Sequence, residues 1–123
     1  MAGIKLSAKA QLKIDVLTEA RRKFDRIHSL VEQYAGTSHG EDTFLSPLAR
    51  TATEVARLFM NNGYGIMADQ ANQIAMLAKR GVGKQTKLRT LRELIVSVRQ
   101  AMDHAEKMII EEEKAEHGAE EKP

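Results

Sequence analysis

Apolar residues recur at three- and four-residue steps along most of this chain, and the longest such stretch runs from Thr86 to about Lys114. Leu88, Leu91, Leu94, Ile95, Val98, Met102, Ala105 and Ile109 fall there, at about 100° per residue, on one stripe of roughly 120°. That is the pattern of a helix buried along one side. Its outer faces carry Arg89, Arg92 and Arg99 in the first half and Glu111, Glu112 and Glu113 at the end. The earlier helices are expected to pack onto this stripe.

A first helix is predicted from about Ser7 to Ala35, with Leu12, Val16, Ala20, Phe24, Ile27, Leu30, Val31 and Tyr34 on its inner face. Asp15, Glu19, Arg22 and Arg26 form a solvated outer row, and Gly36 ends the helix and opens a surface loop. Ser46-Pro47 predicts the start of a second helix. Serine at the N-cap accepts an orphan backbone N–H, and proline at the first helical position gives up a donor that had no partner. Leu48, Ala52, Val55, Ala56 and Phe59 face inward from it, and Asn61-Asn62-Gly63 stops it. A shorter, Ala-rich helix follows over Ile66 to Lys79, burying Met67, Ala71, Ile74, Ala75 and Ala78, and Gly81 and Gly83 bracket the last turn. No stretch alternates as a strand would. The expected fold is all-α, an antiparallel bundle of about four helices with a long C-terminal helix. One domain is expected over residues 1–115, followed by a disordered acidic tail over 116–123.

Composition narrows this further. With 42% apolar but only 4% aromatic residues, Leu, Ile, Val, Met and Ala must fill the core. The absence of Cys removes disulfides and thiolate metal sites and fits a reducing compartment. No apolar run approaches the roughly 18 residues of a membrane span, and the lysine-threaded N-terminus lacks a signal-peptide core. A cytoplasmic protein without a membrane partner is expected.

Charge is unevenly spread. The net charge is +2, but Glu111–Pro123 holds six Glu and two Lys, which leaves +6 on residues 1–110. Lys79, Arg80, Lys84, Lys87, Arg89, Arg92 and Arg99 lie within 21 residues of one another, opposed only by Glu93. Three of them follow one flank of the last helix, and three crowd the turn at its N-terminus, where free N–H groups also attract anions. These seven are the candidate nucleic-acid-binding residues, through phosphates. Few aromatics accompany them, so base stacking and sequence-specific reading are not indicated.

Other motifs carry less. Gly81-Val-Gly-Lys84 lacks the upstream Gly, the Ser or Thr after Lys, and the preceding strand of a phosphate-binding loop, so it reads as a helix–helix turn. His28, His39, His104 and His117 share no face with ligand-spaced carboxylates, and neither a metal nor a cofactor is expected. His28 borders the apolar stripe of the first helix and is expected to be partly buried. Met60, Met67, Met76, Met102 and Met108 are expected mainly as core filling. Arg99 to His104 has the Arg-x4-His spacing of small all-helical ribonucleases of the higher-eukaryote/prokaryote nucleotide-binding type. On a straight helix the two point about 140° apart, and Arg99 has Asp103 available as an i+4 partner.

Two stretches resemble a further family. LFMNNGYGIMADQANQIAMLAKRG is similar to the helix–Asn-Gly–helix segment of the small all-helical subunit of CRISPR interference complexes, through Leu58, Asn62, Gly63, Gly65, Ala71, Ala75 and Lys79. LRTLRELIVSVRQAMDHAEKMIIEEEK resembles that family's closing helix, although the segment expected between the two stretches and a tryptophan in the last helix are absent. The resemblance implies a non-catalytic subunit, present in several copies, that holds a nucleic-acid backbone with basic residues, here Lys84, Arg89 and Arg92. The expected function is therefore binding of RNA or single-stranded DNA within a ribonucleoprotein assembly, alongside other subunits or further copies. The alternatives are a small helical ribonuclease using Arg99 and His104, and a protein-interaction adaptor with an acidic partner.

Overall fold

The computed structural model describes the backbone of residues 6–121 and side chains as far as Glu116. Four helices follow in order: α1 Ala8–Ala35, α2 Asp42–Asn61, α3 Gly65–Lys79 and α4 Lys84–Glu121. Among the described residues there is no strand. Each helix packs on the next and α4 closes the ring against α1, while the diagonal pairs stay apart. This is the antiparallel bundle expected. The tail expected over 116–123 falls largely outside the described side chains, and the α4 backbone continues through Glu121.

The core is aliphatic with two buried Phe rings. Phe24, Ile27 and Val31 of α1 meet Leu48, Val55 and Phe59 of α2, Ile74 of α3, and Leu91, Val98 and Met102 of α4, all essentially inaccessible. Every inward residue expected of α2 and α3 is buried. In α1 the expected stripe is buried from Ala20 to Tyr34, with Val16 half-buried, and shifts only nearer the N-terminus. Stepping by seven from Phe24 gives Leu17 and Ala10, which are buried, whereas Leu12 is 66% exposed. Methionine divides likewise: Met67 and Met102 fill the core, while Met60, Met76 and Met108 are exposed.

Helix ends explain the remaining boundaries. Ser7 caps α1, its hydroxyl accepting from the Ala10 N–H at 3.1 Å. Glu113 accepts from the N–H and hydroxyl of Ser7, so a carboxylate from the far end of α4 is buried at the positive end of α1. Glu113 thus leaves the outer face on which its run of glutamates had placed it. At the α2 C-terminus Gly63 adopts φ +81°, the Gly63 N–H bonds the Met60 carbonyl and the Tyr64 N–H bonds the Phe59 carbonyl. Tyr64 then meets Phe59 edge-to-face at 6.2 Å, completing a Schellman turn with its apolar contact.

Two boundaries differ from expectation. Gly36 ends α1 at φ −86°, without using a left-handed conformation, and that freedom is used instead by Gly40 in the loop. α2 starts at Asp42 rather than Ser46, leaving Pro47 inside the helix. Leu45 is buried and Phe44 half-buried, so packing holds the extra turn in place. Thr43, whose carbonyl loses a donor to Pro47, is exposed to water.

Candidate nucleic-acid interface

The bundle sorts the seven basic residues expected to bind phosphate into distinct environments. Arg92 grips Glu32 of α1 through two hydrogen bonds, at 2.8 and 3.0 Å, and Arg99 reaches Asp25 of α1 at 3.0 Å. The Arg92 hydrogen bonds, then its charge and that of His28, hold the Glu32 carboxyl below the usual carboxylate range against partial burial. Lys84 bonds the Thr37 carbonyl, pairs with Glu41 at 3.7 Å and lies 4.9 Å from the centre of the Tyr34 ring. It pins the α1–α2 loop to the start of α4. Lys87 is buried and donates to the Ala78 carbonyl at 3.3 Å, satisfying an orphan acceptor at the end of α3. Arg89 is exposed and lies about 160° from Leu91 on the helix, facing away from the core. It has no acidic partner among the described residues.

Lys79 and Arg80 are the remaining two, and the fold brings them to residues that the sequence reading did not single out. They line an open groove of about 790 Å³ whose other wall is the outer stripe of α2, including Ser46, Arg50, Thr53, Glu54 and Arg57. Asp42, Gly81 and Lys87 also line it. Arg50, Arg57, Lys79 and Arg80 are exposed, and none has an acidic partner within ion-pair distance among the described residues. A second groove of about 410 Å³ joins the first across Arg50 and Glu54 and is lined by Arg22, Lys23, Arg26 and Thr51. Here Arg22 and Lys23 are partly engaged by Glu19, and Lys23 also approaches Glu54 at 3.8 Å. Arg26 has no acidic partner among the described residues. A seven-residue step from Arg50 to Arg57, opposite the buried Leu48–Val55 face, was the available signal.

None of the five aromatic residues lines either groove. The surface thus offers guanidinium and ammonium groups without stacking platforms, which suits a charged backbone and tolerates any base.

The fold does not bring Arg99 and His104 together. Arg99 is committed to Asp25, Asp103 pairs with Arg21 at 2.8 Å rather than with Arg99, and His104 is exposed on another face. His28 is also exposed, not part-buried, with its Nε2 3.9 Å from Glu32. No cluster of three or more His, Asp or Glu side chains could hold a metal ion, and no helix is long and apolar enough to cross a membrane, among the described residues. Gly81 to Gly83 form the α3–α4 turn. No protein-family model, curated protein or solved structure matches the chain.

Proposed function

We propose that this bundle binds the phosphate backbone of RNA or single-stranded DNA without catalysis, as a small cytoplasmic subunit of a larger ribonucleoprotein assembly. One observation carries the reading. Arg50, Arg57, Lys79 and Arg80 surround a groove with no carboxylate engaging them among the described residues, while Arg92, Arg99 and Lys84 are occupied within the fold. Cations left unpaired around a concave surface are the groups that an incoming phosphate can engage without breaking an existing bond. The similarity to the small CRISPR-complex subunit points to the same ligand class, and Lys79 is the one residue common to that similarity and the groove.

The test is binding of a labelled single-stranded RNA, with a DNA duplex alongside, at several salt concentrations. Micromolar or tighter binding that weakens steeply with salt, with the probe intact, is expected. No binding at low salt refutes the proposal, and cleavage of the probe that disappears in His104→Ala moves the assignment to a ribonuclease.

A further inference from the structure

The acidic end of α4 is the molecule's other strongly charged surface. Glu111, Glu112 and Glu116 are exposed there, and none has a basic partner within ion-pair distance among the described residues. These carboxylates stay far from the mouth of their own groove. α4 is one uninterrupted helix, and from Lys87 to Glu111 and Glu116 it rises roughly 36 and 44 Å. α2, which carries Arg50 and Arg57, lies diagonal to α4, across the core from it. The groove's cations and these carboxylates are therefore held apart within one molecule, while Lys9 and Lys13 of α1 border Glu112 and Glu116.

We propose that the basic groove takes the acidic end of α4 from a second copy of this chain, and that this helix end and nucleic acid exclude one another there. Charge complementarity selects the occupant. Glu112 and Glu116 sit one turn apart, roughly 6 Å along α4, and Arg50 and Arg57 two turns apart, roughly 10.5 Å along α2. Both surfaces repeat with the helix, so a helix end laid along α2 presents carboxylates where a nucleic acid presents phosphates. Because the two contacting surfaces differ, the contact is head-to-tail. Each copy retains one open groove and one free acidic end, and association continues beyond a dimer. The inference uses the same unpaired cations as the nucleic-acid reading, yet it stands or falls separately.

Sedimentation velocity of the full chain at about 30 mM salt, over a hundredfold concentration range, tests it. The expected result is a mass that climbs past two copies with concentration, and a monomer at 0.5 M salt. Glu111→Gln/Glu112→Gln/Glu116→Gln and Arg50→Gln/Arg57→Gln/Lys79→Gln/Arg80→Gln should each be monomeric at low salt, with unchanged helical circular dichroism. Mixed together, the two variants should form a one-to-one complex and stop there, since one supplies only a groove and the other only an acidic end. A short single-stranded RNA should disperse the wild-type oligomers. A monomer throughout at low salt overturns the proposal, as does self-association that survives either variant or oligomers that bind RNA without dispersing. RNA binding retained by the glutamine variant of α4 alongside a monomeric wild type would sink this inference and spare the function. Oligomers with no RNA affinity would refute the function and the mutual exclusion, and leave only the head-to-tail contact standing.

Discussion

Replacing Arg50 and Arg57 with alanine separates the groove from the basic flank of α4 as the ligand surface. Four cations without an ion-pair partner among the described residues line the groove: Arg50, Arg57, Lys79 and Arg80. If each neutralises one phosphate of a single strand, log affinity falls against log salt with a slope of about −2.8, or roughly 50-fold weaker binding between 50 and 200 mM. Removing two should halve the slope to about −1.4, so the same salt step costs about sevenfold. Arg92→Ala/Arg99→Ala removes the same charge from the other surface. It should leave the slope near its wild-type value and lower the melting temperature slightly, because Glu32 and Asp25 lose their partners across the α1–α4 seam. Fluorescence anisotropy of a labelled single-stranded RNA across a salt series reads both slopes, and circular dichroism melts read both stabilities. A slope that falls in the Arg92/Arg99 variant and holds in the Arg50/Arg57 variant would show the reasoning to be wrong.

Three further outcomes concern the frame that holds the groove. Gly63→Ala should lower stability by about 1 kcal/mol, since its left-handed conformation strains a side chain although no atom obstructs it; Gly65→Ala, without that conformation, should be neutral or slightly stabilising in thermal melts. Phe59→Ala should destabilise by about 3–5 kcal/mol in urea titration, because a fully buried ring in contact with Tyr64 leaves a cavity between α2 and its neighbours. Glu32 carries a depressed pKa in the folded state, so its contribution is present above the ordinary value of 4.5 and is lost as pH falls through the lower folded value. Melts at stepped pH should therefore fall less steeply below 4.5 in Glu32→Gln than in the wild type.

Most of the architecture was legible because local rules and packing agreed. Asn61-Asn62-Gly63 predicts a helix stop and becomes a Schellman turn, and the apolar spacing of α2 and α3 names their buried residues. The misjudged start of α2 has a physical cause. Ser-Pro is a strong local signal, but Leu45 and Phe44 gain enough from burial to extend the helix upstream through a proline. The site was less legible, because a charge on a helix has no fixed role until its neighbours are known. Arg92 and Arg99 look like a solvent-facing row, and only the fold brings Glu32 and Asp25, 60 and 74 residues away, against them. Arg50 and Arg57 look like ordinary outer positions, and only the fold brings Lys79 and Arg80 across from them.

Those long-range pairs also explain why the α4 arginines serve the fold. The α1 and α4 stripes are both apolar at helical spacing, so burial alone would tolerate a slip of one turn, about 5.4 Å. In the observed register Arg92 meets Glu32, Arg99 meets Asp25, and Arg21 meets both Asp103 and Glu106. A slip of four residues one way would set Arg99 opposite Arg21 and Arg92 opposite His28. A slip the other way would set Asp103 and Glu106 opposite Asp25. Each exposed pair adds little stability by itself, but both wrong registers juxtapose like charges, and that difference selects one alignment. Exchanging the carboxylate partners of these guanidiniums for a ligand's phosphates would weaken the discrimination that fixes α4 against α1. The exposed cations of α2 and of the α3–α4 turn carry no such duty, and a ligand can engage them while the bundle keeps its register.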